Sequence, residues 1–177
     1  MVALISAGVP QPGGIWADFG AGTGNFTWAL AELLGSQAII YALDRDAKAI
    51  VAQRARCQFQ PPAATIIAQQ ADVTRLLELP PLDGLLLANL LHFLPHQVNV
   101  LQRVASYLKP MRPLILVEYE QASPLPWVPF PVPFARFQQL TSMAGLAAPH
   151  MIGSRASPSS GKVLYAAATA SIDAHAI

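Results

Sequence analysis

The chain has few charged residues and almost no cysteine. Asp, Glu, Lys and Arg make up only 12% of its 177 residues, about half of the ~25% usual in soluble domains. We therefore expect some apolar surface to remain for a substrate, a lid or a second subunit, and a homodimer through that surface is one expectation. The single cysteine, Cys57, excludes an internal disulfide and suits a reducing cytoplasm.

Long hydrophobic runs are also missing. The most apolar stretch, Leu82–Leu94, contains three polar residues and is shorter than the ~20 residues that a membrane-spanning helix needs. The first ten residues contain no Lys or Arg, so the charged start of a signal peptide is absent. Most of the eleven Lys and Arg are scattered and the net charge is +1. Positive charge is grouped only around one predicted helix, at Arg45, Lys48, Arg54 and Arg56, and four cations on a helix are usually a solvated face and not a nucleic-acid patch. We expect a cytoplasmic protein with no membrane span and no nucleic-acid partner.

The length indicates one domain with a sizeable core. We place it at residues 15–170, after a lead-in segment at 1–14 that the Pro10–Gly14 breaker ends, and before a frayed tail at 171–177.

One stretch, residues 15–27, organises the chain, and its sequence is IWADFGAGTGNFT. It predicts a buried strand, a glycine-rich turn and the start of a helix. Alternating glycines let the backbone adopt positive φ and approach a ligand closely, and the helix then offers its unpaired N–H groups. Asp18 is expected to accept hydrogen bonds from the amides of the turn.

The spacing of the glycines distinguishes two cofactor classes. Dinucleotide-binding folds use G-x-G-x-x-G, whereas this chain has Gly20, Gly22 and Gly24 behind Asp18. That loop resembles the signature loop of the class I S-adenosylmethionine-dependent methyltransferases, small-molecule type. The resemblance implies S-adenosylmethionine as cofactor, with the glycine loop around its amino-acid part and no metal. It also implies an α/β fold, a Rossmann-like three-layer sandwich whose seven-stranded, mostly parallel sheet ends in an antiparallel C-terminal hairpin.

The apolar patterns place the elements of such a fold. They predict parallel strands at 15–19, 38–43, 65–68, 82–88 and 114–120, helices at 26–34, 46–57, 97–108 and 134–144, and a hairpin of 151–156 and 162–168 with a turn at 157–161.

Two acids follow predicted strands and suit the nucleoside of the cofactor. Asp44, with Arg45 beside it, ends the second strand, where one carboxylate can accept from both ribose hydroxyls. The alternative for Asp44 is a cap for the helix that starts near residue 46. The resemblance assigns the exocyclic amine of adenine to Asp72 and the ring to the amide of Val73. The alternative for Asp72 is the N-cap of a short helix at 74–78.

The end of the fourth strand lies where the reactive sulfonium is expected. Here the resemblance places the backbone of Asn89 and Leu90. Enzymes that methylate exocyclic amines of bases resemble one another in an Asn/Asp-Pro-Pro-Tyr/Phe tetrad, which this chain lacks. Histidine is the residue type with a near-neutral reference pKa, and His92 is a candidate general base for a hydroxyl or carbon acid. The alternative is a histidine that caps the following helix.

Two further segments are candidates for binding the acceptor. Glu118 and Tyr119 end the fifth strand, and the glutamate either orients a polar substrate group or pairs with an arginine. Residues 123–134 then interleave five prolines with large apolar side chains, including Trp127 and Phe130. Three interpretations stay open for this segment: a lid over a hydrophobic substrate, a subunit contact, or a loop packed on its own domain.

These observations predict methyl transfer by in-line displacement to a small, partly apolar acceptor. The alternatives are an RNA or protein acceptor, or a non-catalytic, cofactor-binding interaction subunit.

Overall fold

The structure is a computed structural model that describes residues 1–157 and 161–172. Within these ranges, seven strands and five α-helices alternate along most of the sequence. In order they are α1 Val2–Ile5, β1 Gly14–Phe19, α2 Asn25–Leu34, β2 Ala38–Asp44, α3 Ala47–Phe59, β3 Thr65–Gln70, β4 Gly84–Ala88, α4 Gln97–Ala105, β5 Pro113–Tyr119, α5 Phe134–Ala144, β6 His150–Ala156 and β7 Val163–Ala170.

The strands form one seven-stranded sheet in the order β3-β2-β1-β4-β5-β7-β6. Strands β1 to β5 are parallel, and β7 runs antiparallel between β5 and β6. This confirms the predicted sheet with its C-terminal antiparallel pair. Because the strand order reverses between β1 and β4, a crevice opens beside their carboxyl ends, where open α/β sheets bind ligands.

Both faces of the sheet are covered, as its apolar central strands require. One core packs α4 and α5 against the sheet, and the other packs α1 and α2. All five residues of β4 are buried. Gly84 at its start lies against the Trp16 ring, where a Cβ would come within 2.3 Å of a ring carbon.

Local signals fix the ends of the helices. Gly24 precedes α2 with φ 91°, and Gly35 follows it with φ 71°, so both positions favour glycine. The Asp46 side chain accepts from the Lys48 amide at 2.8 Å and caps α3. Gly145 ends α5 in the left-handed region.

The structure differs from the sequence prediction in several segments. The lead-in contains α1 and a 3₁₀ turn at Ser6–Gly8, with Ile5 fully buried. Residues 74–78 form no helix, with only Thr74 in a turn and Arg75 in a bend. β4 begins at Gly84 because the Leu82 amide donates to Tyr107 O, after the end of α4, and not to a strand.

Parts of two predictions concern residues outside the described ranges. Residues 158–160 of the predicted hairpin turn and residues 173–177 of the predicted tail lie outside the described part of the chain. No helix in the described ranges is long and apolar enough to cross a bilayer.

Candidate cofactor and acceptor site

Two adjoining pockets open in the crevice beside β1 and β4, and Gly20 and Asn89 line both. The larger, of about 260 Å³, is lined by Met1, Asp18, Gly20, Ala21, Gly22, Thr23, Asn25, Phe26, Ala88 and Asn89. The smaller, of about 200 Å³, is lined by Gly20, Asp44, Arg45, Ala71, Asp72, Val73, Thr74, Asn89, Leu90, Phe93 and Leu94. The fold thus brings every predicted cofactor residue except Gly24 to one of the two pockets.

The glycine loop has the geometry of a ligand cradle. Gly20 and Gly22 have φ values of 73° and 52°, in the left-handed region that favours glycine. A Cβ at Gly20 would lie 2.8 Å from Leu90 Cδ1, and one at Gly24 would lie 2.8 Å from the Trp28 ring. At Gly22 a Cβ would meet no protein atom within 4 Å. Gly24 therefore packs inside the protein, whereas Gly22 faces open space in the pocket.

Asp44, and not Asp18, holds this loop in place. Its Oδ2 accepts from the Gly22 amide and its Oδ1 from the Asp46 amide, both at 2.8 Å. Gln53 Nε2 donates to Gly22 O at 2.7 Å from the other side. Since Asp46 caps α3, the interpretation of Asp44 as that cap is wrong. The carboxylate lies at the pocket wall with lone pairs remaining for further donors.

The expectation that Asp18 accepts from the amides of the turn is also wrong. Its Oδ2 accepts from the Thr27 hydroxyl at 2.6 Å, because α2 follows the loop and lays its first turn over the end of β1. The side chain is fully buried. Burial raises the pKa of Asp18 to about 7, opposed by the Thr27 hydrogen bond and assisted by the Asp44 charge.

Two buried acceptors in the larger pocket have no hydrogen-bond partner: Asp18 Oδ1 and Asn89 Oδ1. Asn89 adopts φ 53°, and its amide donates to Val117 O on β5. Because an unpaired buried acceptor costs about 1–3 kcal/mol, this pair suits a ligand that brings several donors. The ammonium group of an amino acid is such a ligand. The residues present fit the methionine end of S-adenosylmethionine.

The smaller pocket offers the groups that suit a nucleoside. Asp72 Oδ1 accepts from the amide and hydroxyl of Thr74 at 2.9 and 2.7 Å. These bonds lower the pKa of Asp72, the side-chain bond most. Asp72 therefore caps a turn, and the predicted helix after it does not form. Val73 is buried beside it. Arg45 lies exposed at the rim.

A histidine–glutamate pair lies at the carboxyl ends of β4 and β5, with Glu118 inside β5 and His92 shortly after β4. His92 is in a 3₁₀ turn at Leu91–Phe93, and its Nδ1 lies 2.5 Å from Glu118 Oε2. Its amide also donates to Glu118 Oε1 at 3.2 Å. The side chains are 2% and 1% exposed. His92 does not cap α4, whose cap position is His96, and Glu118 pairs with this histidine and with no arginine.

The predicted acceptor residues are less close to the pockets. Tyr119 is half-buried, with its ring centroid 6.2 Å from that of His92. Trp127 and Phe130 are 57% and 42% exposed. None of the three lines either pocket. The proline segment nevertheless reaches the site, because the Phe130 amide donates to His92 O at 3.0 Å.

Some lining residues were missed by the sequence analysis. Phe93 lines the smaller pocket and lies with its ring centroid 4.2 Å from that of His92. Met1 lines the larger pocket. The position of Phe93 one residue after His92 was an available signal, whereas nothing in the sequence indicated Met1. Among the described residues, no group of three or more His, Cys, Asp or Glu side chains is placed to hold a metal ion.

Comparison with known proteins identifies the family of this chain. A family model described as a methyltransferase domain matches residues 17–111, and the chain belongs to this family. It is a class I enzyme that uses S-adenosylmethionine as its cofactor, as the sequence predicted. A search of curated proteins gives no significant match.

Solved structures confirm the fold. The YcgJ protein from Bacillus subtilis is 13% identical with a TM-score of 0.77, over 97% of this chain and 98% of that one. An S-adenosylmethionine-dependent methyltransferase from Methanosarcina mazei is 14% identical with a TM-score of 0.72, over 92% and 95%. The CurJ carbon methyltransferase is 20% identical with a TM-score of 0.70, over 92% of this chain and 50% of that one.

Proposed function

We propose that this methyltransferase acts on a small, partly apolar acceptor that loses a proton from carbon or oxygen, with His92 as the general base. The observation that carries the proposal is the buried pair of His92 and Glu118, 2.5 Å apart. Such a pair is the arrangement that prepares an imidazole to take a proton.

The two pockets would hold the two ends of the cofactor. Asp18 and Asn89 would accept from its ammonium group, beside the backbone of Gly22. Asp44 would accept from the ribose hydroxyls, and Asp72 from the adenine amine. When bound, S-adenosylmethionine supplies an electrophilic methyl group on a positively charged sulfur. The protein then has mainly to align a nucleophile, and alignment in a dry site can supply about 7–11 kcal/mol.

The geometry of the pair supports Nε2 as the nitrogen that would take the proton. Nδ1 faces Glu118, and within the described residues Nε2 makes no hydrogen bond. Nε2 is therefore the nitrogen that can accept a proton from the acceptor. The Glu118 carboxylate would compensate the positive charge that forms on the ring. In a buried site this compensation is needed, because an unpaired buried charge costs several kcal/mol.

The surroundings of His92 favour an apolar acceptor. Phe93 packs on the imidazole and is 47% exposed, and Phe130 lies beside the same turn through its backbone. The structurally similar CurJ protein is a carbon methyltransferase, and methylation at carbon needs the removal of a C–H proton. An enolisable carbon acid or a phenol combines an acidic proton with an apolar body, so these are the acceptor classes we propose.

The test measures release of S-adenosylhomocysteine with a panel of phenols and β-dicarbonyl compounds. We expect His92→Gln and Glu118→Gln to lower turnover by about 10²-fold or more, as loss of a general base does. Their affinity for S-adenosylhomocysteine should stay within about twofold, because neither residue lines a pocket. His96→Gln, an exposed neighbour, is the matched control and should keep full turnover. Full turnover in His92→Gln would remove His92 as the base.

The same panel separates the alternatives. Turnover with RNA or a protein alone, and for RNA a steep loss of binding with salt, would favour a macromolecular acceptor. Tight binding of S-adenosylhomocysteine with no turnover on any acceptor would favour an interaction subunit.

A further inference from the structure

A buried glutamine joins the His92 turn to the proline segment. Gln97 is the first residue of α4 and is 6% exposed. Its Nε2 donates to Leu91 O at 3.3 Å and to Phe130 O at 2.9 Å. Both partners are carbonyl oxygens, so the amide must present its NH₂ group to them, and its two N–H bonds serve one acceptor each.

The bond from the Phe130 amide to His92 O completes the connection. Phe130 thus uses both of its backbone groups here, its N–H toward His92 O and its C=O toward Gln97. The next described hydrogen bonds from this segment to other elements lie on the C-terminal side of Phe130, where Tyr165 Oη donates to Val132 O and the Phe134 amide donates to Glu120 Oε2. The contact of this segment with the His92 turn therefore depends on Phe130 and Gln97.

We propose that Gln97 is a positioning residue for methyl transfer, which fixes the turn that carries His92 and fastens the proline segment beside it. This inference rests on the proposed role of His92 as the base. Without the two Gln97 donors, Phe130 O loses its described partner and Leu91 O keeps only the Leu94 amide. The turn and the segment are then no longer held in one arrangement. His92 would then face Glu118 in more than one geometry, and the apolar rim beside it would loosen.

The first measurement is amide hydrogen exchange of Phe130 by NMR. The variant is Gln97→Met, which keeps the length of the side chain and removes both donors. Gln102→Met is the matched control, since Gln102 is exposed on the same helix. We expect exchange at Phe130 to be on the order of tenfold faster or more in Gln97→Met and unchanged in Gln102→Met. Equal exchange in the two variants overturns the proposal.

The second measurement follows the base itself. The imidazole N–H signal of His92, identified by its loss in His92→Gln, should shift or broaden in Gln97→Met and stay unchanged in Gln102→Met. Faster exchange at Phe130 with an unchanged His92 signal would mean that Gln97 holds only the segment, and its positioning role would be wrong. Gln97→Glu keeps the size and lacks the donors when ionised, so it should reproduce Gln97→Met.

Binding and turnover distinguish this inference from the proposed function. Affinity for S-adenosylhomocysteine should stay within about twofold in Gln97→Met, because Gln97 lines neither pocket; a larger loss would mean general disruption of the fold and would overturn the proposal. If His92→Gln keeps full turnover, the proposed function fails while the exchange result at Phe130 stands. If exchange is unchanged and His92→Gln is inactive, only the role of Gln97 fails.

Discussion

The buried carboxyl group of Asp18 should make both stability and cofactor binding depend on pH. Asp18 is 0% exposed, and among the described residues its carboxyl group has one hydrogen bond, which comes from the Thr27 hydroxyl. Its pKa is raised from the usual 3.8 to about 7, chiefly by burial. The folded chain therefore keeps a proton on Asp18 at pH values where the unfolded chain has lost it.

The sign and the size of the effect follow from linkage. Between the two pKa values the folded state binds more protons, so the free energy of unfolding falls as pH rises and levels off above about 7. At 1.36 kcal/mol for each tenfold change in proton affinity, the change from 3.8 to about 7 corresponds to about 4 kcal/mol. The Asp18→Asn side chain has the same shape and does not titrate. The free energy of unfolding of this variant, relative to wild type, should therefore increase as pH rises from about 4 to about 7.

The assay is urea unfolding of wild type and Asp18→Asn at several pH values without cofactor. The difference between the two proteins isolates Asp18 from all other acids. Thr27→Val removes the hydrogen bond that lowers the pKa of Asp18, so it should move the titration to higher pH. A difference between wild type and Asp18→Asn that does not change with pH would refute the reasoning.

Titration of Asp18 should also affect cofactor binding, but in the opposite direction: the affinity should rise with pH, whereas the free energy of unfolding falls. If the ammonium of the cofactor lies beside Asp18, it favours the ionised carboxylate, so binding should release a proton. Below pH 7 the affinity of wild type for S-adenosylhomocysteine should then fall, at most about tenfold per pH unit. Calorimetry in two buffers of different ionisation enthalpy measures the number of protons released on binding. Asp18→Asn should release none from this position.

Further predictions concern the cradle and the cofactor class. Asp44→Ala should weaken binding of S-adenosylhomocysteine by about tenfold or more in calorimetry, since it removes charge-assisted hydrogen bonds. Unchanged affinity would show that Asp44 does not bind the ribose. Gly22→Ala and Gly145→Ala should both lower the unfolding midpoint, because both positions have positive φ and open surroundings, but only Gly22→Ala should abolish binding. S-adenosylhomocysteine at a hundred times its Kd should raise the midpoint by several degrees, through about 2.7 kcal/mol, whereas NAD should not.

Local sequence patterns carried most of the information about the fold. Apolar runs separated by helical patterns predicted a parallel sheet, and the structure places its strands within a few residues of the predictions. The boundaries that differ are those decided by a distant partner. Leu82 reads as strand, yet its amide pairs with Tyr107 O, and the periodicity of a single segment does not contain that pairing.

Most of the predicted cofactor residues line the two pockets because their positions depend on chain neighbours and on the strand ends. Three glycines within five residues impose the cradle locally, and Asp44 and Asp72 lie at the edge where parallel strands end together. The prediction gave the role of holding the loop to Asp18, whereas in the structure Asp44 accepts from the Gly22 amide. Which carboxylate meets the Gly22 amide depends on how β2 lies beside β1, and not on the loop sequence.

The sequence by itself determined the class of fold, the glycine cradle and the acids around it, because backbone conformation and strand periodicity are local properties. Only the tertiary structure decided the partners of the buried polar groups. His92 and Glu118 are 26 residues apart, and they meet because β4 and β5 are neighbours with Ala88 opposite Val117. Gln97 and Phe130 are even farther apart in the sequence. Because an unpaired donor or acceptor is costly when buried, the folded chain selects the arrangement in which these groups are paired.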